Sequence, residues 1–131
     1  MNNGRAVVLI VEDKPIIRMN AVDLVTSSNY EAVEAGDADE AIRMLEMRTD
    51  IDLVFTDVQM PGTMDGIKLS HCIRDRWPLL KLIVTSGAAV ANERQLPGGS
   101  RFFSKPYNDL SIVETMGQLL SSEAPPPTTV V

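Results

Sequence analysis

The chain has 131 residues, a length that fits a single domain with a substantial core. Hydrophobic residues make up 44% of it, yet no apolar run approaches the roughly 20 residues of a transmembrane helix. Its formal net charge of −6 opposes nonspecific attraction to nucleic acid, and no basic cluster interleaves with aromatic residues. The amino terminus lacks the pattern of a signal peptide. We therefore expect a cytoplasmic protein that contacts neither membrane nor nucleic acid directly.

The first third of the chain predicts two strands, each followed by a helix. Residues 6–11 (AVVLIV) form the first predicted strand, and Pro15 suits the first turn of the helix behind it. The apolar face of that helix consists of Ile17, Ala21, Leu24 and Val25. Residues 30–35 (YEAVEA) predict a second strand at an edge of the sheet. Asp37 and Glu40 then have capping-box spacing at the start of a second helix.

The middle of the chain contains a continuous apolar run, residues 52–56 (DLVFT), which ends at Asp57. Such a run suits a central strand that is covered on both faces. Asp65 has the position of an N-cap for a third helix, which Pro78 terminates. The apolar face predicted for this helix consists of Leu69, Cys72 and Ile73. Because the chain has one cysteine and no disulfide partner for it, we expect Cys72 to fill the core.

The last third predicts two more strands. Residues 80–85 (LKLIVT) form the fourth, and residues 88–95 (AAVANERQ) allow a short fourth helix before LPGGS interrupts it. Residues 101–103 (RFF) form a short fifth strand. A final helix has an apolar face of Ile112, Val113, Met116, Leu119 and Leu120. We expect one α/β domain over residues 1–122 and a disordered, Pro-rich tail over residues 123–131.

Polar side chains follow the predicted strands at the points where they end. The first strand leads to Glu12 and Asp13, the third to Asp57, the fourth to Ser86 and the fifth to Lys105. In an open parallel sheet, ligands bind at the carboxyl ends of the strands. Three converging carboxylates raise one another's pKa unless a cation neutralises them. With oxygen ligands on offer, the pattern favours Mg²⁺, with Mn²⁺ as a substitute.

A site that combines Mg²⁺, a lysine and a hydroxyl is complementary to a phosphoryl group. Asp57 is then the candidate nucleophile, forming an acyl phosphate. Each residue alone is weak evidence, because a strand-end Asp is more often a helix cap, a Lys a solvated charge and a Ser a turn residue. Their joint placement at one edge carries the prediction.

Four motifs occur in order on successive strands: ED at 12–13, DVQMPGTMDG starting at Asp57, VTSG at 84–87 and FFSKPY at 102–107. With these motifs the sequence resembles the response-regulator receiver domain of two-component signalling, from about Ala6 to Leu120. The resemblance implies a flavodoxin-like, doubly wound (βα)5 fold. Its five parallel strands would lie in the order 2-1-3-4-5.

The resemblance also implies roles for the acidic residues. Asp57 resembles the phosphoacceptor of the family, and it also contributes to the metal site. Asp13 resembles a direct Mg²⁺ ligand, and Glu12 a ligand that acts through water. Gln59 is expected to offer its backbone carbonyl to the same ion.

On the other strands, Ser86 aligns with the hydroxyl that reaches for the phosphoryl group, because the small Gly87 follows it. Thr85 is the rival assignment. Lys105 resembles the phosphate-pairing lysine, and Pro106 is expected to follow a cis peptide bond, as in receivers. Phe102 has the position of the switch aromatic, although a role in core packing alone is an equal alternative.

Two loops depart from the commonest receiver pattern. The loop after Met60 has one residue more, which should alter the rim of the site rather than its chemistry. The segment from Ser86 to Lys105 is a few residues shorter, so the fourth helix is in doubt. In receivers the surface of the fourth helix, fifth strand and last helix carries the output, which leaves the downstream protein and homodimerisation open.

The leading hypothesis is a stand-alone receiver rather than an enzyme with a small-molecule substrate. A sensor histidine kinase or a histidine phosphotransfer protein would phosphorylate Asp57, with the receiver assisting, and the surface around the fourth helix would then switch. One alternative is a phosphate sink or a docking module that does not depend on phosphorylation. A more remote alternative is a hydrolase working through aspartyl phosphate, but no cap domain is present and no second acid lies two residues after Asp57.

Overall fold

The structure is a computed structural model that describes residues 5–62, 64–87 and 95–121. No helix in these ranges is long and apolar enough to cross a bilayer. Two of the sequence predictions fall elsewhere. Most of the predicted fourth helix, at 88–94, and the predicted tail at 123–131 lie outside the described residues.

Among the described residues, five parallel strands form one sheet in the order β2-β1-β3-β4-β5, which confirms the predicted flavodoxin-like topology. The strands are β1 (Val7–Val11), β2 (Glu31–Ala35), β3 (Leu53–Asp57), β4 (Lys81–Ser86) and β5 (Arg101–Ser104). Each lies within one residue of its predicted bounds. β1 and β3 are buried along their whole length, as expected for central strands covered on both faces.

The described helices lie between the strands and after the last one. They are α1 (Pro15–Ser27), α2 (Ala38–Met47), α3 (Gly66–Arg76) and α4 (Asp109–Leu120). Successive residues of a strand point to opposite faces, so the sheet separates two apolar cores. One core joins Val7, Leu9 and Val11 to residues of α2 and α3, including Ala41, Leu45, Leu69 and Ile73. The other joins Val8 and Ile10 to residues of α1 and α4, including Ala21, Val25, Ile112 and Met116.

Side-chain caps fix where three of the helices begin. Asp37 accepts a hydrogen bond from the amide of Glu40, and Asp65 accepts one from the amide of Lys68, as the sequence predicted. Asn108 caps α4 in the same way. The capping box at α2 differs in one respect, because the Glu40 carboxylate accepts from the amide of Gly36 rather than from that of Asp37.

The prediction that Cys72 fills the core is wrong. Cys72 is half-buried on α3 and belongs to none of the apolar clusters of the described residues. Ser70 takes the buried position instead, fully hidden from solvent. Its hydroxyl donates to the carbonyl of Gly66 one turn earlier at 2.7 Å, which satisfies the polar group inside the core.

Candidate active site

The candidate site lies at the carboxyl edge, the end of the sheet where Val11, Asp57 and Ser86 complete their strands. Glu12 follows β1 and is 4% exposed, and Asp57 at the end of β3 is 3% exposed. Asp13 is partly exposed beside them. Because the strands are parallel and adjacent, their ends bring residues that are far apart in sequence into one depression.

The structure brings the three predicted acids together. One carboxylate oxygen from each of Glu12, Asp13 and Asp57 lies within 4.8 Å of the other two. Asp13 Oδ1 and both carboxylate oxygens of Asp57 are buried without a hydrogen-bond partner. Buried carboxylates in that condition are costly unless a cation satisfies them. Three clustered carboxylates, of which Asp13 and Asp57 have buried oxygens that accept no hydrogen bond, fit a hard divalent cation such as Mg²⁺.

Two lysines contribute positive charge to the site: Lys14 Nζ lies 3.6 Å from Asp13 Oδ1, and Lys105 lies against the other two acids. Lys105 Nζ lies 3.1 Å from Asp57 Oδ2 and 3.8 Å from Glu12 Oε1. The contact with Asp57 is an ion pair, and the other carboxylate oxygen of Asp57, Oδ1, is buried without a hydrogen-bond partner. The amide of Lys105 donates to the carbonyl of Ser86, which ties β5 to β4 at this edge, and the Lys105–Pro106 bond is cis, as predicted.

The surroundings of Glu12 alter its ionisation. Burial raises its pKa above the ordinary value, and the neighbouring charge of Asp57 adds to the effect. The Lys14 amide, which donates to Glu12 Oε2 at 3.1 Å, acts in the opposite direction, as does the Lys105 ammonium. The net effect is a Glu12 pKa above its ordinary value, chiefly because the group is buried.

The hydroxyl and amide groups beside the acids form a second cluster. The side chain of Gln59 donates from Nε2 to Ser86 Oγ at 3.0 Å, and the Ser86 hydroxyl lies 3.2 Å from Gln59 Oε1. The amide of Gly87 donates to the same Oε1 at 3.1 Å. The sequence prediction concerned the backbone carbonyl of Gln59 alone and did not anticipate a role for its side chain.

Comparisons with known proteins decide the family. The family model described as the response regulator receiver domain matches residues 8–116. The chain belongs to the response-regulator receiver family. A curated relative, the sensor kinase CckA of Brucella abortus, is 34% identical over 125 residues, which cover 92% of this chain and 13% of the kinase. The response regulator FleR of Pseudomonas aeruginosa is 36% identical over 126 residues, or 90% of this chain and 26% of FleR.

A solved structure supports the same assignment. The receiver domain of the hybrid histidine kinase CckA matches with a TM-score of 0.73 and 31% identity, over 88% of this chain and 99% of that domain. The receiver therefore corresponds to one module of the longer relatives, of which it spans only 13% to 26%. Receiver domains are signalling modules that interact with histidine kinases and bind Mg²⁺ in an acidic pocket.

Gly66, which the sequence analysis did not single out, shapes this receiver's site. A Cβ atom built on Gly66 would lie 2.1 Å from the carbonyl oxygen of Asp57 and 2.8 Å from the Cα of Val58. The Gly66 amide also donates to the carbonyl of Val58 at 3.0 Å. The start of α3 thus lies directly against the backbone of Asp57 and Val58. A glycine after the capping Asp65 was the available signal, but the sequence alone could not show which backbone it approaches.

Proposed function

We propose that this receiver accepts a phosphoryl group on Asp57 from a phosphohistidine of a sensor histidine kinase or histidine phosphotransfer protein. The observation that carries the proposal is the state of the Asp57 carboxylate. It is buried at the end of a central strand, both oxygens lack hydrogen-bond partners, and the Lys105 ammonium lies 3.1 Å away. A carboxylate held in this way is available to attack a phosphorus atom.

The transfer is a displacement at phosphorus. A carboxylate oxygen of Asp57 forms a bond to phosphorus while the bond from phosphorus to the donor's imidazole nitrogen breaks, and the imidazole keeps that electron pair. The Lys105 ammonium balances charge on the transferred oxygens. Glu12, Asp13, Asp57 and the carbonyl of Gln59 are the residues that would hold Mg²⁺. When bound, the ion supplies further neutralisation of the phosphoryl charge.

Asp57 pairs with Thr85 in the sheet, but we propose Ser86 as the hydroxyl that answers phosphorylation, because Ser86 shares a face of the sheet with Phe102. Ser86 pairs with Ser104 and Val84 pairs with Phe102, so these four residues share one face of the sheet. On that face, Phe102 packs against the cluster of Val58, Val84 and Leu96. Thr85 and Phe103 point to the other face.

A movement of Ser86 toward a phosphoryl group would therefore change the packing of Phe102, which lies on the same face of the sheet. The proposal assigns Phe102 the task of passing this movement to the surface that binds a downstream protein. Beryllofluoride, a phosphoryl mimic, should then shift the amide resonances of Phe102 and Leu96 as well as those of the acidic site. Shifts confined to the loops that carry Asp57 and Asp13 would rule out this route.

The donor is proposed to dock on the first turns of α1. Ile16 is 68% exposed and Met19 is 59% exposed, and the helix begins only three residues after Glu12. A phosphohistidine must approach Asp57 from the carboxyl edge, so its protein has to cover neighbouring surface there. Two exposed apolar side chains at that position fit a helical partner that buries them.

The test of the proposed function is the mass of the intact protein after incubation with acetyl phosphate. Wild type and Asp57→Asn are compared in parallel, each with Mg²⁺ and with the metal chelated. We expect one phosphoryl adduct that requires both Mg²⁺ and Asp57. An adduct that survives in Asp57→Asn, or no adduct on wild type together with no beryllofluoride binding, would refute the proposal and favour a docking module.

A further inference from the structure

The side chain of Gln59 bridges the loop after β3 and the end of β4. Its amide group contacts the Ser86 hydroxyl through Nε2 at 3.0 Å and the Gly87 amide through Oε1 at 3.1 Å. The residues joined are 27 and 28 positions apart in the sequence. Ser86 is fully buried, whereas Gln59 is partly exposed and Gly87 is exposed. We call this pair of contacts the Gln59 clasp.

The orientation of the Gln59 amide follows from its partners. A backbone N–H group can only donate, so the atom of Gln59 that faces Gly87 must be the oxygen. The nitrogen then lies toward Ser86 and donates to its Oγ, while the Ser86 hydroxyl proton lies within reach of Oε1. The clasp thus uses one donor and the acceptor oxygen of the Gln59 amide at the edge of the site.

In the clasp, Gln59 Oε1 is the acceptor that lies within reach of the Ser86 hydroxyl proton. A hydroxyl has one proton, so Ser86 can donate to a phosphoryl oxygen on Asp57 only by giving up that acceptor, while its Oγ can still accept from Gln59 Nε2. A ligand shifts a two-state equilibrium only by its differential affinity for the two states. Any interaction that stabilises the unliganded arrangement therefore weakens the apparent binding of the phosphoryl group.

We propose that Gln59 is a positioning residue. Its side chain stabilises the unphosphorylated arrangement of Ser86 and so opposes the movement of Ser86 toward a phosphoryl group on Asp57. This inference rests on the proposed function, because it needs Ser86 to be the responding hydroxyl. Removing the clasp takes away the contribution of Gln59, about one net hydrogen bond, to the resting arrangement of Ser86. The expected gain in affinity for a phosphoryl mimic is about three- to tenfold.

The experiment is a double-mutant cycle between Gln59 and Ser86. Gln59→Met retains the length of the side chain and the backbone carbonyl but removes both hydrogen-bonding groups. The dissociation constant of beryllofluoride is measured from amide shifts for wild type, Gln59→Met, Ser86→Ala and the double variant. The Mg²⁺ affinity of each protein is determined first, so that all four are compared at equal Mg²⁺ occupancy.

We expect Gln59→Met to bind beryllofluoride about three- to tenfold more tightly than wild type, and to lose this advantage in the Ser86→Ala background. Unchanged or weaker binding by Gln59→Met would overturn the proposal. An equal gain in the Ser86→Ala background would also overturn it, because the effect would then not pass through Ser86.

A second readout uses the protein without any phosphoryl mimic. In Gln59→Met the Gly87 amide loses its acceptor, so its proton resonance should move and its temperature coefficient should steepen relative to wild type. An unchanged Gly87 resonance would show that the clasp does not exist in solution, even if wild type accepts phosphate normally. Failure of wild type to bind beryllofluoride at all, with the Gly87 change present, would instead overturn the proposed function and with it the role of the clasp.

Discussion

Gly66 is the residue at which the fold and the candidate site constrain each other most directly. Its missing side chain allows the first turn of α3 to lie on the carbonyl of Asp57. We predict that Gly66→Ala lowers the free energy of unfolding by about 1–3 kcal/mol, because a Cβ atom at 2.1 Å from that oxygen forces the backbone apart. Urea denaturation measures the loss.

The matched control is Gly98→Ala, where no atom lies within 4 Å of the added Cβ. Surface substitutions of this kind usually change stability by less than about 0.5 kcal/mol. Gly66→Ala should also slow formation of the adduct with acetyl phosphate, since Asp57 is displaced along with its carbonyl. Equal stabilities for the two alanine variants would contradict the close approach.

Glu12 gives the second prediction at the scale of single residues, in the metal-free protein. Its pKa in the folded state lies above the ordinary value of 4.5, chiefly because the group is buried. Between pH 4.5 and the raised pKa, Glu12 stays protonated in a larger fraction of folded than of unfolded molecules, so the free energy of unfolding falls as pH rises. The stabilising contribution of Glu12 to the free energy of unfolding is fully present below pH 4.5, and it is lost as pH rises through the raised pKa.

The measurement is the free energy of unfolding from pH 4.5 upwards, with the metal chelated, for wild type and Glu12→Gln. As pH increases, the free energy of unfolding of wild type should fall relative to that of Glu12→Gln, because the glutamine cannot ionise. Glu46→Gln serves as control, since it removes a carboxylate from the exposed surface of α2. A change of the same size in that variant would show that the slope does not come from Glu12.

At the scale of strands and helices, most of this receiver could be predicted from its sequence. The bounds of the central strands β1 and β3 follow from short apolar runs, because strands covered on both faces need apolar residues without alternation. The caps at Asp37 and Asp65 follow from local chemistry over three residues. The burial of Cys72 was predicted wrongly because helical periodicity assigns core positions to apolar residues. It does not show that the polar Ser70 can be buried by donating its hydroxyl to a backbone carbonyl.

The proposed docking of the histidine donor on α1 gives a prediction at this scale. In an Ile16→Ser/Met19→Ser variant, phosphoryl transfer from a phosphorylated histidine kinase that acts on wild type should be roughly tenfold slower, corresponding to about 1.4 kcal/mol of lost contact energy. Transfer from acetyl phosphate should be unchanged, because that donor needs no docking surface. Rates are followed by the loss of label from the kinase.

Leu79 supplies the control for the α1 variant. It is 89% exposed and precedes β4, so it lies at the opposite edge of the sheet from Asp57. Leu79→Ser removes a comparable exposed apolar side chain without touching the proposed approach of the donor. Equal slowing in the Leu79→Ser variant, or equal slowing with acetyl phosphate, would contradict docking on α1.

Across the whole molecule, the acidic site was predictable because parallel strands end together, which brings Glu12 and Asp57 to one edge. The sequence did not predict the close approach of Gly66 to Asp57 or the Gln59 clasp. Both depend on how side chains and backbone from separate elements meet within a few ångströms, and sequence patterns carry no record of that distance. The sequence thus predicts which residues gather at the edge, while the structure is needed for the contacts that restrain them.

Binding of a metal ion at the acidic site should increase the stability of the whole receiver. A cation that binds the folded chain alone raises the free energy of unfolding by about 2.7 kcal/mol when its concentration is 100 times the dissociation constant. We predict that Mg²⁺ raises the melting temperature of wild type and has little effect on Asp13→Asn, which lacks one of the three clustered carboxylates. Asp23→Asn changes the net charge equally but removes an exposed carboxylate from α1, so its response to Mg²⁺ should match wild type. An equal response in all three proteins would mean that Mg²⁺ stabilises the receiver by screening its net charge of −6 rather than by binding at the carboxyl edge.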